Sequence, residues 1–467
     1  MLLVHHMILW WLFISCATNP KGVDSAHPKE SASVPWSGSL QPTAADVAPI
    51  RSWQPRRAIM HLHSPWSHDA CDGEPLIDGS PDSSCLMDLR SALCATSVDV
   101  AYLTDHPAHA SEQPYASLFH LQDGDEPVTV DGKTIATRIP CPDGNPILWR
   151  PGIEDELMPL GLQSHTVPEN PTASHAMYNL ASTEAVVSHQ GAGAFVSMAH
   201  TEGKALQQLQ DLVHGGLQGV EIFNLHAMFD PTKRREDLGL DPLSWASDIA
   251  PFTSPDGTAE PDLFFIAVLQ EQTTSLQKWD ALQDIGNVVG FAGTDAHQNV
   301  LPIDLRDGER GDSYRRMLRW FSNHLLVDAS DTSPSPAAYD SALASGRMYT
   351  AFEILGTPTG FDFHLQSDDG QITEMGGSGI GQTLHVQCPT LSPSSPTNGE
   401  SPTIAATVFR NGEEWAAGCG AHPITEPGSY RLRIDIKPTH LKEFLGDDPD
   451  IWLHFYPWVY TNPIRVR

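Results

Sequence analysis

Six short stretches of this chain end in residues that commonly bind metal ions, and five of them follow an apolar run of strand length. Such runs alternate with helical stretches from residue 58 to 325, which predicts an α/β domain with a parallel sheet or barrel. In such barrels the catalytic groups lie at the carboxyl ends of the strands. The side chains concerned are His61, His63, Asp105, His106, Glu154, His200, Glu221, Asp295 and His297.

The spacing of apolar residues also gives approximate element bounds. Period-2 or short continuous apolar runs indicate strands, and apolar residues at helical spacing indicate helices. We predict strands over residues 58–63, 98–104, 194–200, 219–223, 263–269 and 288–292, and helices over 86–96, 204–214, 275–285 and 313–325.

Histidine and carboxylate ligands together favour Zn, Mn or Fe, whereas Ca and Mg prefer shells of oxygen alone. Side chains at i and i+2 of a strand point to the same face. We therefore expect His61 and His63 to share one ion, and Asp295 and His297 to face one pocket. This pattern predicts a hydrolase with more than one divalent metal ion.

Charge narrows the range of partners. The net charge is −31, and a chain this acidic repels nucleic-acid backbones at long range. We predict a small-molecule substrate and no nucleic-acid partner. The length of 467 residues indicates two or three domains, and nothing in the sequence indicates an oligomeric state.

The amino-terminal end reads as an export signal. Residues 1–15 are apolar, too few to span a bilayer, and precede Cys16. Residues 13–16 resemble a bacterial lipobox, so we predict a cell-envelope lipoprotein that contacts the membrane only through a lipid on Cys16. A plain signal peptide, giving a periplasmic or secreted protein, and a misplaced start codon are the alternatives. Residues 17–50 have the Pro, Ser, Ala and Asp content of a disordered linker.

Six further cysteines remain, and there is no C-x-x-C motif. An even number fits three disulfides formed in an oxidising compartment, with buried free thiols as the alternative. Pairing by proximity predicts the bonds Cys71–Cys85, Cys94–Cys141 and Cys388–Cys419.

Residues 353–467 predict a separate all-β domain, which we interpret as a β-sandwich. Tyr430, Leu432 and the following apolar residues alternate with Arg431 and its charged neighbours, which is typical of a strand with one buried face. The pair Asn411 and Gly412 is a strong hairpin signal. Because the metal-ligand residues end before this region, we assign catalysis to a domain over residues 51–352.

The ligand motifs occur in the order seen in the PHP (polymerase and histidinol phosphatase) superfamily, and the chain resembles that family over roughly residues 55–352. Residues 457–464 are similar to the C-terminal signature of exported PHP proteins of the CehA/McbA-type metallohydrolase group. The resemblance implies a distorted, TIM-like (β/α)7 barrel followed by the small all-β domain.

The resemblance also implies a ligand assignment. His61, His63 and Asp295 would hold one metal ion. Glu154 would bridge to a second ion, which His200 also binds.

A third ion, or the substrate, is expected at His106 and His297. The family often has a Ser-Asp-Gly sequence after its first motif, and this chain has Ser-His-Asp there, so His68 becomes a candidate ligand. His165 is the nearest match for the histidine that follows the Gly-x-Glu motif in the family, and His175 is the alternative.

We predict catalytic roles for Glu154, Asp105 and His297, with Asp105 orienting or neutralising the His106 side. Glu221 resembles a residue of a family strand but is not assigned as a ligand. Two metal ions about 3.5–4 Å apart lower the pKa of a shared water and give a bridging hydroxide. The leading hypothesis is a phosphoesterase acting on a small phosphorylated substrate. The alternatives are a carboxylester, carbamate or amide hydrolase with the same centre, and a non-catalytic surface metal-binding protein.

Overall fold

The computed structural model describes residues 33–37, 42–43 and 46–467. The predicted signal, Cys16 and most of the predicted linker lie outside the described residues. Among the described residues, no helix has the length and apolar character needed to cross a membrane.

Strands make up most of the regular structure. In chain order they are β1 Trp53–Leu62, β2 Leu76–Ile77, β3 Ser80–Pro81, β4 Val100–Leu103, β5 Glu126–Val130, β6 Lys133–Ile139, β7 Ile147–Arg150, β8 Met158–Leu160, β9 Phe195–Met198, β10 Gly219–Asn224, β11 Val289–Gly293, β12 Ser322–Asp328, β13 Met348–Ala351, β14 Pro358–Thr359, β15 Asp362–Gln366, β16 Ile372–Glu374, β17 Ser378–Gly379, β18 Thr383–Gln387, β19 Thr390–Leu391, β20 Thr403–Arg410, β21 Glu413–Ala417, β22 Gly420–Pro423, β23 Gly428–Lys437, β24 Tyr456–Thr461 and β25 Ile464–Val466.

The α-helices lie between residues 83 and 345. They are α1 Ser83–Ala95, α2 Pro107–Ala110, α3 Pro171–Tyr178, α4 Thr183–Gly191, α5 Leu206–His214, α6 Pro231–Glu236, α7 Ser244–Asp248, α8 Ala250–Thr253, α9 Phe264–Val268, α10 Thr273–Leu282, α11 Tyr314–Trp320 and α12 Pro336–Ser345. Short 3-10 turns cover Cys71–Gly73, Tyr115–Phe119, Thr201–Gly203, His226–Met228, Pro261–Leu263, Glu353–Leu355, Thr439–Phe444 and Pro449–Ile451.

Two sheets carry the candidate ligands. The larger has 13 strands, and its main order is β17-β25-β23-β24-β13-β12-β1-β4-β7-β6-β5. The smaller has the order β11-β10-β9-β8. Strands β1, β4 and β7 pair in parallel, and so do β9, β10 and β11. The carboxyl ends of the two parallel sets lie next to each other. A single bridge joins Leu62, the last residue of β1, to Ala296, which follows β11.

The predicted α/β architecture is confirmed, but the described strands do not form a closed seven-stranded barrel. Strand β8 pairs antiparallel with β9, and only residues 151–157 separate β7 from β8. A parallel crossover needs about a dozen residues or more, so this connection is too short for one. In the described part of the chain, only an isolated bridge, between Asp105 and Ile153, extends the larger sheet past β7 in this direction. Strand β8 pairs with no described strand of the larger sheet, so the two sheets are not joined at this edge.

Two element predictions are wrong. Residues 263–269 were expected as a strand, but α9 occupies this run after a 3-10 turn that begins at Pro261. A short apolar run buried on all sides has no period that separates helix from strand. The helix expected over 313–325 ends at Trp320, and β12 follows from Ser322.

The carboxyl-terminal region is rich in strands, as predicted. Strands β15, β16, β18 and β22 form one antiparallel sheet, while β20, β23 and β24 belong to the 13-stranded sheet. Strand β24 pairs with β13, so that sheet continues across residue 352. The hairpin between β20 and β21 turns at Asn411 and Gly412, both with left-handed φ, as a two-residue hairpin requires. The sandwich packing and the domain bounds stay predictions.

The alternation expected in β23 is only partly observed. Tyr430 and Leu432 are buried as predicted, but Arg431 is buried as well. Its guanidinium lies 4.2 Å from the ring centre of Phe409 and 2.6 Å from the Asp280 carboxylate. An ion pair together with an aromatic contact therefore lets a charged residue lie on the covered face.

The predicted disulfide pairing is confirmed. The bonds are Cys71–Cys85, Cys94–Cys141 and Cys388–Cys419, with Cα–Cα distances of 6.0, 5.5 and 5.7 Å. Three such pairs are compatible with an extracellular protein.

Candidate metal centre

The clustered histidines and carboxylates lie at the carboxyl ends of parallel strands. His61 and His63 are at the end of β1, His106 follows β4, and Glu154 follows β7; His200 follows β9, and Asp295 and His297 follow β11. Because these strand ends meet at one edge, residues far apart in the sequence share one site.

Backbone irregularities aim several of these side chains. His61, His200 and Asp295 have left-handed φ values of 62°, 51° and 48°. The pairing of β1 with β4 shifts by one residue between Met60 and Leu62, which places His61 at a bulge. The simple i and i+2 argument therefore does not describe His61 and His63. Their rings still face one another, with centroids 5.2 Å apart.

Three overlapping groups of side chains have the spacing of metal ligands. In each group the nitrogen and oxygen atoms lie within 4.8 Å of one another. The groups are His61, His63 and Asp295; His61, Glu154 and His200; and His63, Asp69, His106 and His297. Candidate sites for divalent metal ions are thus present, and they overlap through His61 and His63.

Glu154 lies between the groups. Its Oε1 is 3.1 Å from His200 Nε2, while its Oε2 is 3.5 Å from His61 Nε2 and 3.4 Å from His106 Nδ1. Each oxygen of one carboxylate therefore faces a different set of imidazoles, which suits a bridging ligand.

Asp295 joins the groups from the opposite side. Its Oδ1 lies 3.3 Å from His61 Nε2, 3.4 Å from His63 Nε2 and 3.1 Å from His297 Nε2. Its Oδ2 lies 3.5 Å from His200 Nε2. All four histidines and this carboxylate converge on one small volume.

Asp69, and not His68, completes the third group. Asp69 Oδ2 is 3.3 Å from His106 Nε2 and 3.1 Å from His297 Nε2. The Ser67 hydroxyl donates to the other oxygen of Asp69 at 2.8 Å. His68 is exposed and belongs to none of the groups, although its ring centre is 4.9 Å from that of His106.

Buried polar side chains behind the groups hold the ligands in place. Glu221 Oε1 is 2.5 Å from His61 Nδ1, and Glu221 Oε2 accepts from the His200 amide at 2.7 Å and from Asn224 Nδ2 at 3.0 Å. Because a carboxylate accepts hydrogen bonds, Glu221 keeps the proton of a neutral His61 on Nδ1, and in that form the Nε2 lone pair is available to a metal ion.

The site fits a cation. The Nε2 atoms of His61 and His63 are buried and have no hydrogen-bond partner among the described residues. Buried polar atoms are almost always satisfied, so two orphaned imidazole nitrogens facing carboxylates indicate a ligand set for a metal ion.

Electrostatics keep the carboxylates ionised. Burial opposes the charge on Glu154, yet His61 and His200 hold its pKa well below the usual value. Burial likewise opposes the charge on Asp295, and His61 lowers its pKa. Burial lowers the pKa of His63 to about 3. Anionic carboxylates and a neutral His63 are the forms that bind metal ions.

Asp105 lies behind the ligands. Its carboxylate accepts from the Ser64 amide at 2.6 Å and from the Ser64 hydroxyl at 2.8 Å. Burial raises the pKa of Asp105 to about 6. It belongs to none of the ligand groups, and its contacts hold the turn that follows His63. Its predicted catalytic role stays a prediction.

The structure does not bring His165 or His175 to the cluster. His165 Nε2 is 2.8 Å from the Gln113 carbonyl, and its Nδ1 is 3.3 Å from the Tyr178 hydroxyl. His175 Nδ1 is 3.2 Å from the Pro107 carbonyl. Both rings therefore have partners outside the cluster, and neither belongs to a ligand group.

Sequence reasoning missed Asp69, His226 and Asn224. The departure of Ser-His-Asp from the family motif pointed to this turn, where Asp69 has ligand spacing, and His68 as a ligand stays a prediction. His226 Nδ1 lies 3.7 Å from Asp295 Oδ2, and nothing in its local sequence distinguishes it from the other histidines. Asn224 lies at the end of β10, three residues after Glu221, and that strand-end position was the available signal.

A fourth acidic group has ligand-like spacing but different partners. Asp262, Asp307 and Glu309 lie close together, and arginines pair with all three. Arg315 and Arg316 both reach Asp262, and Arg316 also lies 2.9 Å from Asp307. We call this set the arginine-paired cluster.

Comparison with known proteins identifies neither a family nor a function for this chain. No protein-family model matches the chain, and no curated protein matches it. One similar solved structure is a two-domain protein containing a predicted PHP-like metal-dependent phosphoesterase from Bacteroides vulgatus. It is 11% identical, and the match covers 88% of this chain and 97% of that chain with a TM-score of 0.36. A likeness that distant assigns no function, so membership of the CehA/McbA-type group stays a prediction.

Proposed function

We propose that this chain is a metal-dependent hydrolase of small phosphate esters. The observation that carries the proposal is the closeness of the three ligand groups: they share His61 and His63, and the Glu154 and Asp295 carboxylates each also approach an imidazole of another group. A structural metal site has a complete ligand shell of its own, whereas two catalytic metal ions that act together lie a few ångströms apart.

Charge favours a phosphate ester. The groups contribute three carboxylates, from Asp69, Glu154 and Asp295, so three divalent ions would leave the centre with a net positive charge. A phosphoryl group needs positive charge around its oxygens in the transition state. Bound divalent ions would supply that charge and would activate water at neutral pH.

The chain's own residues have three tasks in this proposal. Glu154 and Asp295 direct their oxygens toward different imidazoles and fix the spacing of the groups. Glu221 accepts from His61 Nδ1 and thereby presents Nε2 to the centre. Ser67 lies 2.9 Å from His63 Nδ1 and orients that ring in the same way.

One observation favours the hydrolysis of carboxylic esters or amides as a second candidate. The cavity beside Asp295 is lined by no lysine or arginine among the described residues. Phosphate sites commonly use Arg or Lys, and the same metal chemistry also activates carbonyl groups.

The test is to purify the protein, measure its Zn, Mn and Fe content, and assay p-nitrophenyl phosphate, bis(p-nitrophenyl) phosphate and p-nitrophenyl acetate. We expect at least two equivalents of metal and the fastest turnover on a phosphate ester. Glu154→Gln should lose activity on every substrate. Glu156→Gln is the matched control, because Glu156 is half-buried and pairs only with Lys204 among the described residues.

The proposal would be overturned if the protein still bound no metal after Zn, Mn or Fe was added. It would also be overturned if no substrate was hydrolysed. Turnover of the acetate alone would support the second candidate. Equal activity of Glu154→Gln and Glu156→Gln would show that the cluster is not the active site.

We also propose that the protein is exported as a lipoprotein. Three disulfides support an oxidising compartment, and Cys16 follows the apolar amino-terminal run. Cys16→Ser should move the protein from the membrane fraction to the soluble exported fraction. An unchanged distribution would contradict lipidation.

A further inference from the structure

A cavity of about 400 Å³ lies directly beside the candidate metal centre. Asp295, a residue of the first ligand group, forms part of its wall, and so does His226. Specific small-molecule sites have volumes of this order. Any molecule whose reacting bond lies at the ligand groups can extend into this space.

Four aromatic side chains, those of Phe229, Trp245, Phe264 and Trp320, form one part of the cavity wall. Phe229 and Trp245 meet edge to face with ring centres 5.5 Å apart, and Phe264 and Trp320 do so at 4.9 Å. Phe264 and Trp320 are fully buried. Because these rings pack against one another and against the core, the cavity is preformed and apolar.

Charge in the cavity excludes anionic groups. Asp230 and Asp312 are its other carboxylates, and no lysine or arginine lines it among the described residues. Asp312 accepts from the amides of Val300 and Leu301 at 2.7 and 2.8 Å. Arg310 Nε lies 2.6 Å from Asp312 and offsets the charge of that carboxylate. A second phosphate or a carboxylate on the substrate would still face Asp230 and Asp295, with no lysine or arginine in the cavity wall among the described residues.

We propose that this cavity binds the leaving side of the substrate, and that this part is an uncharged apolar group such as an aryl or branched alkyl group. The assignment rests on the proposed hydrolase function and narrows it, since esters of sugars, nucleosides and polyphosphates do not fit.

The kinetic test compares phenyl phosphate with glycerol phosphate and ribose phosphate. We expect kcat/KM to favour phenyl phosphate on the order of tenfold or more, because apolar pockets discriminate by this amount per small group. Val300 lines the cavity and is 45% exposed, so Val300→Lys adds a cation at the rim with little risk to folding. This variant should lower the preference for phenyl phosphate at least threefold.

Ile303→Lys is the matched control. Ile303 lies three residues further along the same loop, is 51% exposed and does not line the cavity. It should keep the wild-type preference. Equal kcat/KM for the three esters in the wild type, or equal changes in the two lysine variants, would overturn the assignment.

A binding measurement separates this inference from the hydrolase proposal. The binding of para-phenylphenol to the Glu154→Gln variant is measured by equilibrium dialysis. Glu154 does not line the cavity, so this substitution leaves the cavity wall unchanged. Binding that Val300→Lys weakens and Ile303→Lys does not supports the cavity assignment even if no ester is hydrolysed. Absence of binding, together with active but unselective wild-type enzyme, would overturn the cavity assignment and leave the hydrolase standing.

Discussion

Two acidic clusters in this chain have similar spacing but different counter-charges. At the candidate metal centre, Glu154 and Asp295 face imidazoles, and two imidazole nitrogens have no hydrogen-bond partner among the described residues. At the arginine-paired cluster, Asp262 faces guanidinium groups. A neutral imidazole donates a lone pair to a cation, whereas a guanidinium already carries the charge and has no lone pair to offer. The partners of the carboxylates, more than their density, therefore distinguish a metal site from an ion-pair network.

The largest effect should come from Asp295→Asn. The amide keeps the shape but removes the charge shared by His61, His63 and His297. We expect loss of bound metal and a fall in kcat/KM of about 10³-fold, which corresponds to roughly 4 kcal/mol. Elemental analysis and circular dichroism of the same sample check metal and folding together. If the variant kept its full metal content and full activity, Asp295 would not be a metal ligand and the contrast with the arginine-paired cluster would be wrong.

The equivalent substitution in the arginine-paired cluster is Asp262→Asn. Asp262 is buried and binds Arg315 and Arg316, so removing its charge takes away the one carboxylate that both guanidinium groups share deep in the fold and leaves them only the more exposed Asp307 and Glu309. The free energy of unfolding should fall by about 3 kcal/mol, as measured by urea titration. Metal content per folded molecule should stay at the wild-type level, and a loss of metal equal to that of Asp295→Asn would contradict the contrast.

Removal of metal should destabilise the wild type through the first cluster only. An ion that binds the folded chain at a hundred times its Kd stabilises it by about 2.7 kcal/mol. We expect chelation to lower the Tm and added metal to restore it. Asp295→Asn should show no response to chelation, whereas Asp262→Asn should show the full response.

Acid should separate the two clusters by pH. Burial opposes the charge on Asp262, but Arg315 and neighbouring arginines lower its pKa. A carboxyl with a lowered folded pKa contributes stability that is present above its unfolded pKa near about 3.9 and is lost as the pH falls through the folded value. Histidine ligands must be neutral to bind metal. Burial opposes the charge on His61 and His200, but Asp295 and Glu154 raise the pKa of both above the ordinary value of about 6.5. We expect metal release well above about pH 4, with the fold intact until below it. Simultaneous loss, measured by dialysis and far-UV circular dichroism, would contradict this order.

The smallest effect should come from Asp307→Ala. Its side chain is 35% exposed and pairs with Arg316, and ion pairs of that kind contribute about 1 kcal/mol or less. Metal content and kcat/KM should be unchanged. A drop in metal content would mean that the arginine-paired cluster also binds an ion.

The location of the candidate site was predictable because ligand residues at the ends of parallel strands must meet at one edge. Which residue of a turn enters the site was not predictable. Asp69, and not His68, belongs to a ligand group because the turn after β1 is closed by an amide-to-carbonyl bond from Ser67 to Ser64 and by the Ser67 hydroxyl on Asp69. Neither contact has a sequence period. His165 shows the converse, since motif order suggested a ligand but a nearby carbonyl binds its ring.

The fold was predictable to a similar depth. Strand–helix alternation identified the α/β class, and short separations along the chain made the disulfide pairing predictable. Closure of a barrel depends on pairing between strands distant in sequence, which local periodicity does not report. The run at 263–269 was misassigned because complete burial removes the polar face that distinguishes a helix from a strand.

The left-handed backbone at His61, His200 and Asp295 has a consequence for engineering. Such a conformation costs a non-glycine residue on the order of 1–3 kcal/mol, and glycine adopts it freely. A stability-guided redesign of this protein would therefore favour glycine at these three positions. Each such change would relieve backbone strain while deleting a ligand, so the metal-free protein would gain stability at the same residues where turnover and metal-dependent stability are lost.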